Sequence, residues 1–533
     1  MSRQTAGTAI KQPIPCTDPR SSSSFALAPR LPPRRSRDDI LIDPRNAAAA
    51  RRRVPVRGAV RATTLRSDQE PAGGDSGATT SKLSAWTSVR QERWEGDLSV
   101  DGHLPPWLNG TYIRNGPGMW DVGEHAFHHL FDGYATLVRV SFRGGGGARA
   151  TGAHRQIESE AYRAAVARGR PVLREFSHCP APAKSLLDRV GDLVGLVTGA
   201  ALTDNPNSAV LPLGDGRVMC LTETTKSSVL IDPDTLETVG RFRYTDRLGG
   251  MVQSAHPIVT DTEFLTLLPD LVRPGHLIVR MEAGSNERKV IGRVDCRGGP
   301  SPGWLHSFAV TEKYVVVPEM PLRYSSASLL TSELAPFYAF DWVPASGSYM
   351  HVMWRAWRCL LSWRSTSSTH TRRKATRAAV VVDCCEHYGD PAIIETLVLS
   401  RLRSLRGKDV LPNTRIPLDG SPFGELETAL DPEEHGRGMD MCSINPARLG
   451  RKYRYAYACG ARRPCNFPNT LTKIDLVEKK AKSWHEEGSV PSDDGEGYAL
   501  VIDATTFEEI ARVRFPYGLP YGFHGCWIPA TEE

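Results

Sequence analysis

The sequence predicts an all-β protein of the β-propeller type, and three observations lead to that prediction. From about Trp86 onward, short apolar runs typical of strands alternate with Gly, Pro, Asp and Asn. A hairpin-like stretch recurs further along the chain, and each copy is followed at a similar distance by a histidine. Such recurrence is expected when each hairpin belongs to one blade around a central axis.

Individual strands can be assigned from the local pattern. The stretch "AVLPLGDGRVMCLTET" (209–224) predicts two strands around a Gly-Asp-Gly turn. The stretch "YVVVPEM" (314–320) predicts a short buried strand, because its apolar residues are continuous rather than alternating.

The internal repeat is weak but spans two strands. "VLIDPDTLETVGRFRY" (229–244) matches "LVIDATTFEEIARVRF" (500–515): an apolar strand, an Asp, a turn, and a second strand that ends in an aromatic residue. "VIGRVDC" (290–296) repeats only the second strand. Because the period is not regular, chance similarity of hairpins is the alternative interpretation.

A histidine follows each of these three stretches. His256 comes 12 residues after Tyr244, His306 comes 10 after Cys296, and His524 comes 9 after Phe515. Blades around an axis bring equivalent positions together, and neutral imidazoles bind iron, copper and zinc. The spacing therefore predicts a histidine metal site on the axis, although a lone buried histidine more often has only a structural role.

The N-terminus differs in composition from the rest. Residues 1–66 contain fourteen Lys and Arg and four acids, a net charge of +10 against +6 for the whole chain, which leaves −4 for the remainder. A leader rich in Arg, Ser, Ala and Pro is typical of a disordered organelle transit peptide, here a plastid one. A plain disordered tail and a basic nucleic-acid arm are the alternatives, and the slightly acidic remainder argues against nucleic acid. Residues 67–85 are interpreted as a linker and 86–533 as the folded domain.

Neither the hydropathy nor the cysteines indicate a membrane-spanning or disulfide-rich protein. The apolar runs are shorter than the roughly 18 residues that cross a bilayer. The eleven Cys are irregularly spaced, unlike the frameworks of small secreted domains. Cys384 and Cys385, and likewise Cys459 and Cys465, lack the CxxC spacing of zinc sites and are interpreted as structural thiols.

Five longer stretches are specific enough to compare with known families: "LNGTYIRNGPG" (108–118), "FHHLFDGYATLVRVSF" (127–142), "SAHPIVTD" (254–261), "HSFAVTEKYVVVPEMPLRYS" (306–325) and "FPYGLPYGFHGCWIP" (515–529). Together they resemble the carotenoid cleavage dioxygenases. Within that family, "IESEAYRAA" (157–165) and "MEAGSNERKVIGRV" (281–294) resemble the carlactone synthase branch of plant strigolactone biosynthesis. The resemblance extends over about residues 86–533, with two interruptions.

The resemblance implies a seven-bladed propeller with helical elements capping one face and Fe²⁺ on its axis. It implies four histidine ligands and no carboxylate ligand, and three of the four match His256, His306 and His524. It further implies carboxylates that accept hydrogen bonds from the ligand rings; Glu223 matches one, and Asp440 stands where other relatives have a Glu. His128 and His129 are interpreted as structural, because the family does not use them as ligands.

The implied function is O₂-dependent cleavage of an apocarotenoid double bond in the plastid, of the 9-cis-10'-apo-β-carotenal to carlactone type. The stretch "SLLDRVGDLVGLVTGAAL" (185–202) has one apolar helical face, for which contact with the membrane surface and packing on the propeller are equal alternatives. No nucleic-acid partner is expected.

The fourth histidine should lie within 354–377, where the chain instead reads "RSTSSTHTRRKATR" from 364. The family strand Phe-His-Phe-Ile-Asn-Ala-Tyr-Glu-Glu, written in suitable codons and read one base later, gives Ser-Thr-Ser-Ser-Thr-His-Thr-Arg, which is 365–372 here. We therefore interpret the segment as an out-of-frame reading, and His370 as only a weak candidate ligand.

A second interruption lies near 489–496, where a family strand and another carboxylate are expected but missing. These two departures define an alternative function, a noncatalytic propeller that at most binds apocarotenoids.

Overall fold

A computed structural model describes the parts of the chain that form the sheets. The described residues are 84–178, 203–224, 227–248, 251–325, 340–354, 382–385, 397–400, 430, 439–460, 469–485 and 496–530, together with the backbone of 23–27. His370, the segment 185–202, almost all of 354–377 and 489–495 lie outside the described residues, so the predictions made for them stay predictions.

Strands dominate the described residues. Besides the helix α1 (Glu160–Arg168) there are short 3₁₀ turns at Ser84–Trp86, Leu130–Asp132, Pro344–Ser346 and Pro446–Arg448. The strands are β1 (Ser23–Leu27), β2 (Arg93–Gly102), β3 (Asn109–Arg114), β4 (Pro117–Met119), β5 (Asp121–Val122), β6 (His125–Ala126), β7 (Tyr134–Arg143), β8 (Arg149–Gln156), β9 (Ala209–Pro212), β10 (Val218–Leu221), β11 (Val229–Ile231), β12 (Thr238–Arg241), β13 (Ile258–Val259), β14 (Glu263–Asp270), β15 (Gly275–Glu282), β16 (Arg288–Asp295), β17 (Ala309–Val310), β18 (Tyr314–Glu319), β19 (Leu322–Tyr324), β20 (Phe340–Trp342), β21 (Ser348–Trp354), β22 (Met439–Ser443), β23 (Tyr455–Gly460), β24 (Thr470–Asp475), β25 (Lys480–His485), β26 (Tyr498–Ile502), β27 (Glu509–Arg514) and β28 (Gly525–Pro529).

Successive strands form antiparallel four-stranded sheets, as a propeller requires. The orders are β12-β11-β10-β9, β13-β14-β15-β16, β22-β23-β24-β25 and β1-β21-β18-β17. In the last sheet β1, which lies within the predicted leader, pairs with β21, so Ser23–Leu27 form a strand where the sequence predicts disorder. The edge of a sheet carries unpaired backbone groups with which a further strand can pair. The predicted strands at 209–224 are β9 and β10, with Leu211 opposite Met219. The all-β prediction is confirmed.

Strands from the two ends of the described chain share one sheet and so close the architecture. In β2 the residues Arg93–Leu98 pair with β8, whereas Ser99–Gly102 pair with β27 near the C-terminus. On the other side, β28 pairs with β3. This large sheet divides at β2 into two groups. Together with the four four-stranded sheets, the described strands thus form six blade-like groups. The count of seven blades stays a prediction, because the stretch between β21 and β22 lies largely outside the described residues.

The two copies of the internal repeat share the hydrogen bonds and backbone conformation of their turns. In the first copy the backbone N–H of Thr235 donates to Asp232 Oδ1 (2.8 Å), and the equivalent Thr506 N–H donates to Asp503 Oδ1 (2.8 Å). One residue later, both copies have a left-handed residue other than glycine, Leu236 (φ 59°) and Phe507 (φ 61°). Asp side chains that accept these bonds mimic a backbone turn and so fix the hairpin.

The structure shows a third copy of this turn, after Asp475, that the sequence comparison did not identify. Asp475 Oδ1 accepts the N–H groups of Val477 (3.0 Å) and Glu478 (3.1 Å), and Lys479 has a φ of 54°. The letters "ID" at 474–475 repeat those at 231–232, but the residues that follow share little with the other copies.

The core lies in layers between neighbouring sheets. One cluster packs Ile113 and Leu137 of the first sheet against Val210 and Val218 of the second. The next packs Met219 against Phe264, and another packs Leu267 and Ile278 against Val315 and Val317. Inner strands such as β10 and β14 are buried on both faces and read as apolar runs, whereas outer strands such as β12 and β16 are largely exposed or alternate.

A buried ionic network joins the loop after β16 to the strands β18, β19 and β21. Glu319 accepts hydrogen bonds from Arg323 (2.7 Å), from His351 Nε2 (2.7 Å) and from the backbone N–H of Gly298 (2.8 Å). Glu319 and Arg323 are each at most 2% exposed. These bonds outweigh burial, which by itself raises a carboxyl pKa, and lower the pKa of Glu319 to about 2.

Among the described residues, no helix has both the length and the apolar character needed to cross a membrane.

Candidate metal centre

His256 and His306 are held in adjacent loops by one serine. The Ser254 hydroxyl donates to the His306 carbonyl (2.7 Å) and accepts from the His256 N–H (3.1 Å). Ser254 is buried, so this bond pair fixes the separation of the two loops. The serine is part of the quoted "SAHP", but its role could not be inferred from sequence because its partner lies 52 residues away.

His524 is positioned by the loop between β3 and β4. The N–H of Asn115 donates to the His524 carbonyl (2.8 Å), and the His524 N–H donates to Ser208 O (3.3 Å). Beside them, a Cβ on Gly116 would lie 2.5 Å from the Cα of Gly522, so the two backbones touch in a way that only glycine permits. The "NGPG" and "YGFHG" motifs are therefore two halves of one structural unit.

The three histidine rings meet. The ring centroids of His256 and His306 are 4.2 Å apart, and those of His256 and His524 are 4.6 Å apart at 90°. The Nε2 atom of His256 is buried and has no hydrogen-bond partner among the described residues. A buried imidazole nitrogen without a partner is costly, and a metal ion is one of the few groups that would satisfy it.

Burial keeps two of the rings neutral. Burial, followed by the neighbouring rings of His306 and His524, lowers the pKa of His256 to about 2. Burial also lowers the pKa of His524 to about 4. Neutral imidazole is the form that binds a metal, so both rings are ready to bind one without first losing a proton.

Glu223 orients the third ring. Its Oε1 lies 3.1 Å from His306 Nδ1, and its Oε2 accepts a hydrogen bond from the Trp304 indole (2.8 Å). The His306 side chain is 58% exposed. Burial alone would lower the pKa of His306, but the hydrogen bond and charge of Glu223 raise it. Sequence reasoning did not single out Trp304, although it stands only two residues before His306.

Asp440 lies near the same rings. It is exposed on β22, opposite Cys459 of β23, and its charge acts to raise the pKa of both His306 and His524. The structure therefore brings together His256, His306, His524 and Glu223, with Asp440 close enough for electrostatic interaction.

His129 has a structural place, as the sequence predicts. Its ring is fully buried, and Nδ1 accepts a hydrogen bond from the Phe131 N–H (3.1 Å) at the start of a 3₁₀ turn. The carbonyl of His128 accepts from Leu399 N–H (2.8 Å). Neither residue takes part in the three-ring cluster.

The three histidines are in contact, but they are not arranged as the ligands of a bound metal ion. Within the described ranges, no three His, Cys, Asp or Glu side chains are already placed with the geometry of a metal site. The rings instead contact one another edge to face, an arrangement that neighbouring aromatic rings prefer. The region predicted to supply a fourth histidine lies outside the described residues.

Replacing Glu223 by glutamine tests its orienting role. The amide keeps the shape of the side chain but removes the charge, and it offers one acceptor where His306 and Trp304 require two. We expect metal binding to weaken by roughly 10- to 100-fold, the usual cost of losing a carboxylate behind a ligand histidine. Anaerobic titration with cobalt(II), followed by its visible absorption, measures the change. Glu312→Gln, at an exposed glutamate, is the matched control and should bind cobalt like the unaltered chain.

Comparison with known proteins settles the family. The model of the retinal pigment epithelial membrane protein family matches residues 86–493 and 488–529. The chain belongs to this family of carotenoid oxygenases. The match is split in two, and the two parts meet at 488–493, at the second interruption expected from the sequence.

The relatives of this carotenoid oxygenase include plant enzymes. Carotenoid cleavage dioxygenase 8 homolog A, chloroplastic, of Oryza sativa is 82% identical over 97% of this chain and 98% of its own length. Carotenoid cleavage dioxygenase 8, chloroplastic, of Arabidopsis thaliana is 53% identical over 84% of this chain and 85% of its own. The alignment with the rice protein has 561 positions, more than the 533 residues of this chain, so the rice protein contains segments that are missing here.

A solved structure confirms the fold. The cobalt-substituted Synechocystis apocarotenoid oxygenase superposes with a TM-score of 0.61 at 17% identity, covering 84% of this chain and 98% of that one. The family prediction and the prediction of a carotenoid cleavage dioxygenase, rather than a noncatalytic propeller, are confirmed by these relatives. The relatives' chloroplastic location agrees with the predicted transit peptide.

Proposed function

We propose that His256, His306 and His524 hold iron(II), with Glu223 and Asp440 as the carboxylates around them. The observation that supports this most is the contact of three histidines from three separate loops, one of them with a buried and unpartnered Nε2. Nitrogen ligands without a carboxylate ligand fit iron, copper or zinc, and a cobalt-substituted member of the fold fits the same preference. When bound, iron supplies the activation of O₂.

We further propose that the substrate is an apocarotenoid, of the 9-cis-10'-apo-β-carotenal to carlactone type, cleaved in the chloroplast during strigolactone biosynthesis. The high identity to the rice protein over nearly the whole chain supports this. O₂ adds across one carbon–carbon double bond, which breaks to give two carbonyl groups.

The protein's own residues suit a polyene beside the histidines. The Trp304 ring lies 5.4 Å from the His306 ring and 5.5 Å from Phe340, which in turn lies 5.2 Å from Tyr324. These rings, tilted by 45° to 52° to one another, form an aromatic cluster beside His306 against which an apolar polyene can pack. Glu223 meanwhile holds the proton of His306 at Nδ1, which leaves Nε2 of that ring available to a metal.

Segment 354–377 stands where the family has a strand with the fourth histidine. This difference is expected to lower activity, but the proposed function remains that of an iron dioxygenase. Three of the four expected histidines are present and adjacent, so the chain should still bind iron, at lower affinity than a four-histidine site. Sequencing the transcript decides the nature of 354–377. A cDNA that encodes the same residues in full would show that the segment is genuine protein.

The direct test uses the full chain loaded with iron under anaerobic conditions and mixed with the apocarotenal. On addition of O₂, visible absorbance should fall, because cleavage shortens the conjugated chain. Unchanged absorbance with about one iron bound per chain would overturn the proposal. Saturable binding of the apocarotenal without absorbance loss would instead support the noncatalytic propeller.

A further inference from the structure

Two cysteines distant in sequence meet beside β22. The Sγ atoms of Cys385 and Cys442 lie 2.6 Å apart, although both are free thiols and 57 residues separate them. This is closer than two nonbonded sulfur atoms ordinarily approach, and about 0.5 Å from the roughly 2.05 Å of a disulfide bond. The sequence interpretation took Cys384 and Cys385 as structural thiols, and the structure places Cys385 beside Cys442.

The backbone on the β22 side is shaped to present Cys442. Asp440 pairs with Cys459 and Ser443 with Tyr457, and the register shifts between them. Met441 at this irregularity has a φ of 52°, rare for a residue with a side chain. A bulge takes the residue out of the regular ladder and re-aims its side chain, which accounts for Cys442 facing the segment 382–385.

The opposite side is anchored independently. Two residues before Cys385, the Asp383 carboxylate accepts a hydrogen bond from the hydroxyl of Tyr453. Tyr453 is buried, so it holds the segment 382–385 against the sheet. Each thiol is therefore held by contacts of its own.

Neither cysteine is fully buried. Cys385 is half-buried and Cys442 is exposed. The hydrogen bond from Cys442 lowers the pKa of the Cys385 thiol, which favours Cys385 as the attacking thiolate. A metal site would need further ligands, and among the described residues no set of three forms one here.

We propose that Cys385 and Cys442 are a redox modification site that forms an intrachain disulfide. A small disulfide such as oxidised glutathione is the oxidant. The Cys385 thiolate attacks one of its sulfurs and releases one glutathione, and the Cys442 thiolate then attacks the Cys385 sulfur and releases the second. The two cysteines lose two electrons and two protons, which end on the two glutathione thiols. A dithiol reverses the step.

The cross-link would fix the strand that presents Asp440 to the histidines. Cys442 is two residues from Asp440 on β22, and the segment 382–385 is the partner to which that strand would be tied. The redox state of the pair would thus set the freedom of β22 beside the three-ring cluster. The formation of the disulfide itself does not depend on the proposed reaction.

Oxidation of the full-length chain with oxidised glutathione tests the proposal. After free thiols are blocked with N-ethylmaleimide, tryptic digestion should release peptide 378–401 joined to peptide 438–448. Two fewer thiols should react with the blocking reagent, and dithiothreitol should restore both. Absence of this joined peptide from a folded, oxidised chain would overturn the proposal.

Single variants identify which sulfur reacts, because Cys384 and Cys385 share one peptide. Cys384→Ser is the matched control and should keep the link, whereas Cys385→Ser and Cys442→Ser should each lose it. A link that persists in Cys385→Ser, or one that joins Cys459 in the unaltered chain, would contradict the assignment. Circular dichroism of each variant shows that the fold is retained.

Discussion

Replacing His256 by alanine is expected to remove iron binding and, with it, apocarotenoid cleavage. His256 is the ring that contacts both other histidines, and its buried Nε2 is the nitrogen without a partner. Losing a ligand should cost more than the roughly 10- to 100-fold that loss of a supporting group costs. Iron per chain, measured by atomic emission after anaerobic loading, should fall from near one to a small fraction, and cleavage should fall at least about 100-fold.

The control for this variant is His103→Ala, at an exposed histidine of the loop after β2. It should bind iron and cleave the substrate like the unaltered chain. Circular dichroism should show the same strand content for both variants. If His256→Ala kept its iron, the three-ring cluster would not be the metal site.

Replacing Glu319 by glutamine is expected to lower the free energy of unfolding by about 3 to 5 kcal/mol, the usual cost of breaking a buried ion pair. The amide preserves volume but leaves the buried Arg323 charge without its partner, and it presents an N–H₂ group where donors already converge. Urea unfolding followed by tryptophan fluorescence measures the change. Glu282→Gln removes a largely exposed partner of Arg280 and should change stability by less than about 1 kcal/mol.

The same network predicts a pH dependence. The pKa of Glu319 is lowered from 4.5 to about 2, so its contribution to stability is fully present above 4.5 and is lost as the pH falls toward 2. The unaltered chain should lose stability over that range. Glu319→Gln should lose less, because it has no carboxyl there to protonate. Parallel curves for the two proteins would contradict the role given to Glu319.

The features that the sequence predicted well are local. The hairpin at 209–224 and the repeat at 229–244 depend on neighbouring turn residues, so composition and spacing suffice to identify them. The histidines after the repeats were found for the same reason, since equivalent positions of different blades carry equivalent loops. Glu223, in contrast, was identified by resemblance to the family and not by its spacing in the sequence.

The features that were missed depend on contacts between distant segments. Asn115 and His524 are 409 residues apart, and the pairing of β2 with both β8 and β27 joins the two ends of the fold. Cys385 and Cys442 meet because a bulge turns one strand position aside, which no periodicity indicates. Local pattern does not encode which loops meet, so these contacts became visible only in the structure.

Oxygen uptake per substrate cleaved, measured with the iron-loaded full-length chain, tests the central claim most directly. If three histidines suffice for an iron dioxygenase, the chain should consume one O₂ for each apocarotenal double bond broken, and His256→Ala should consume none. Cleavage without O₂ uptake, or uptake that persists unchanged in His256→Ala, would contradict the claim that this cluster is the site of the reaction.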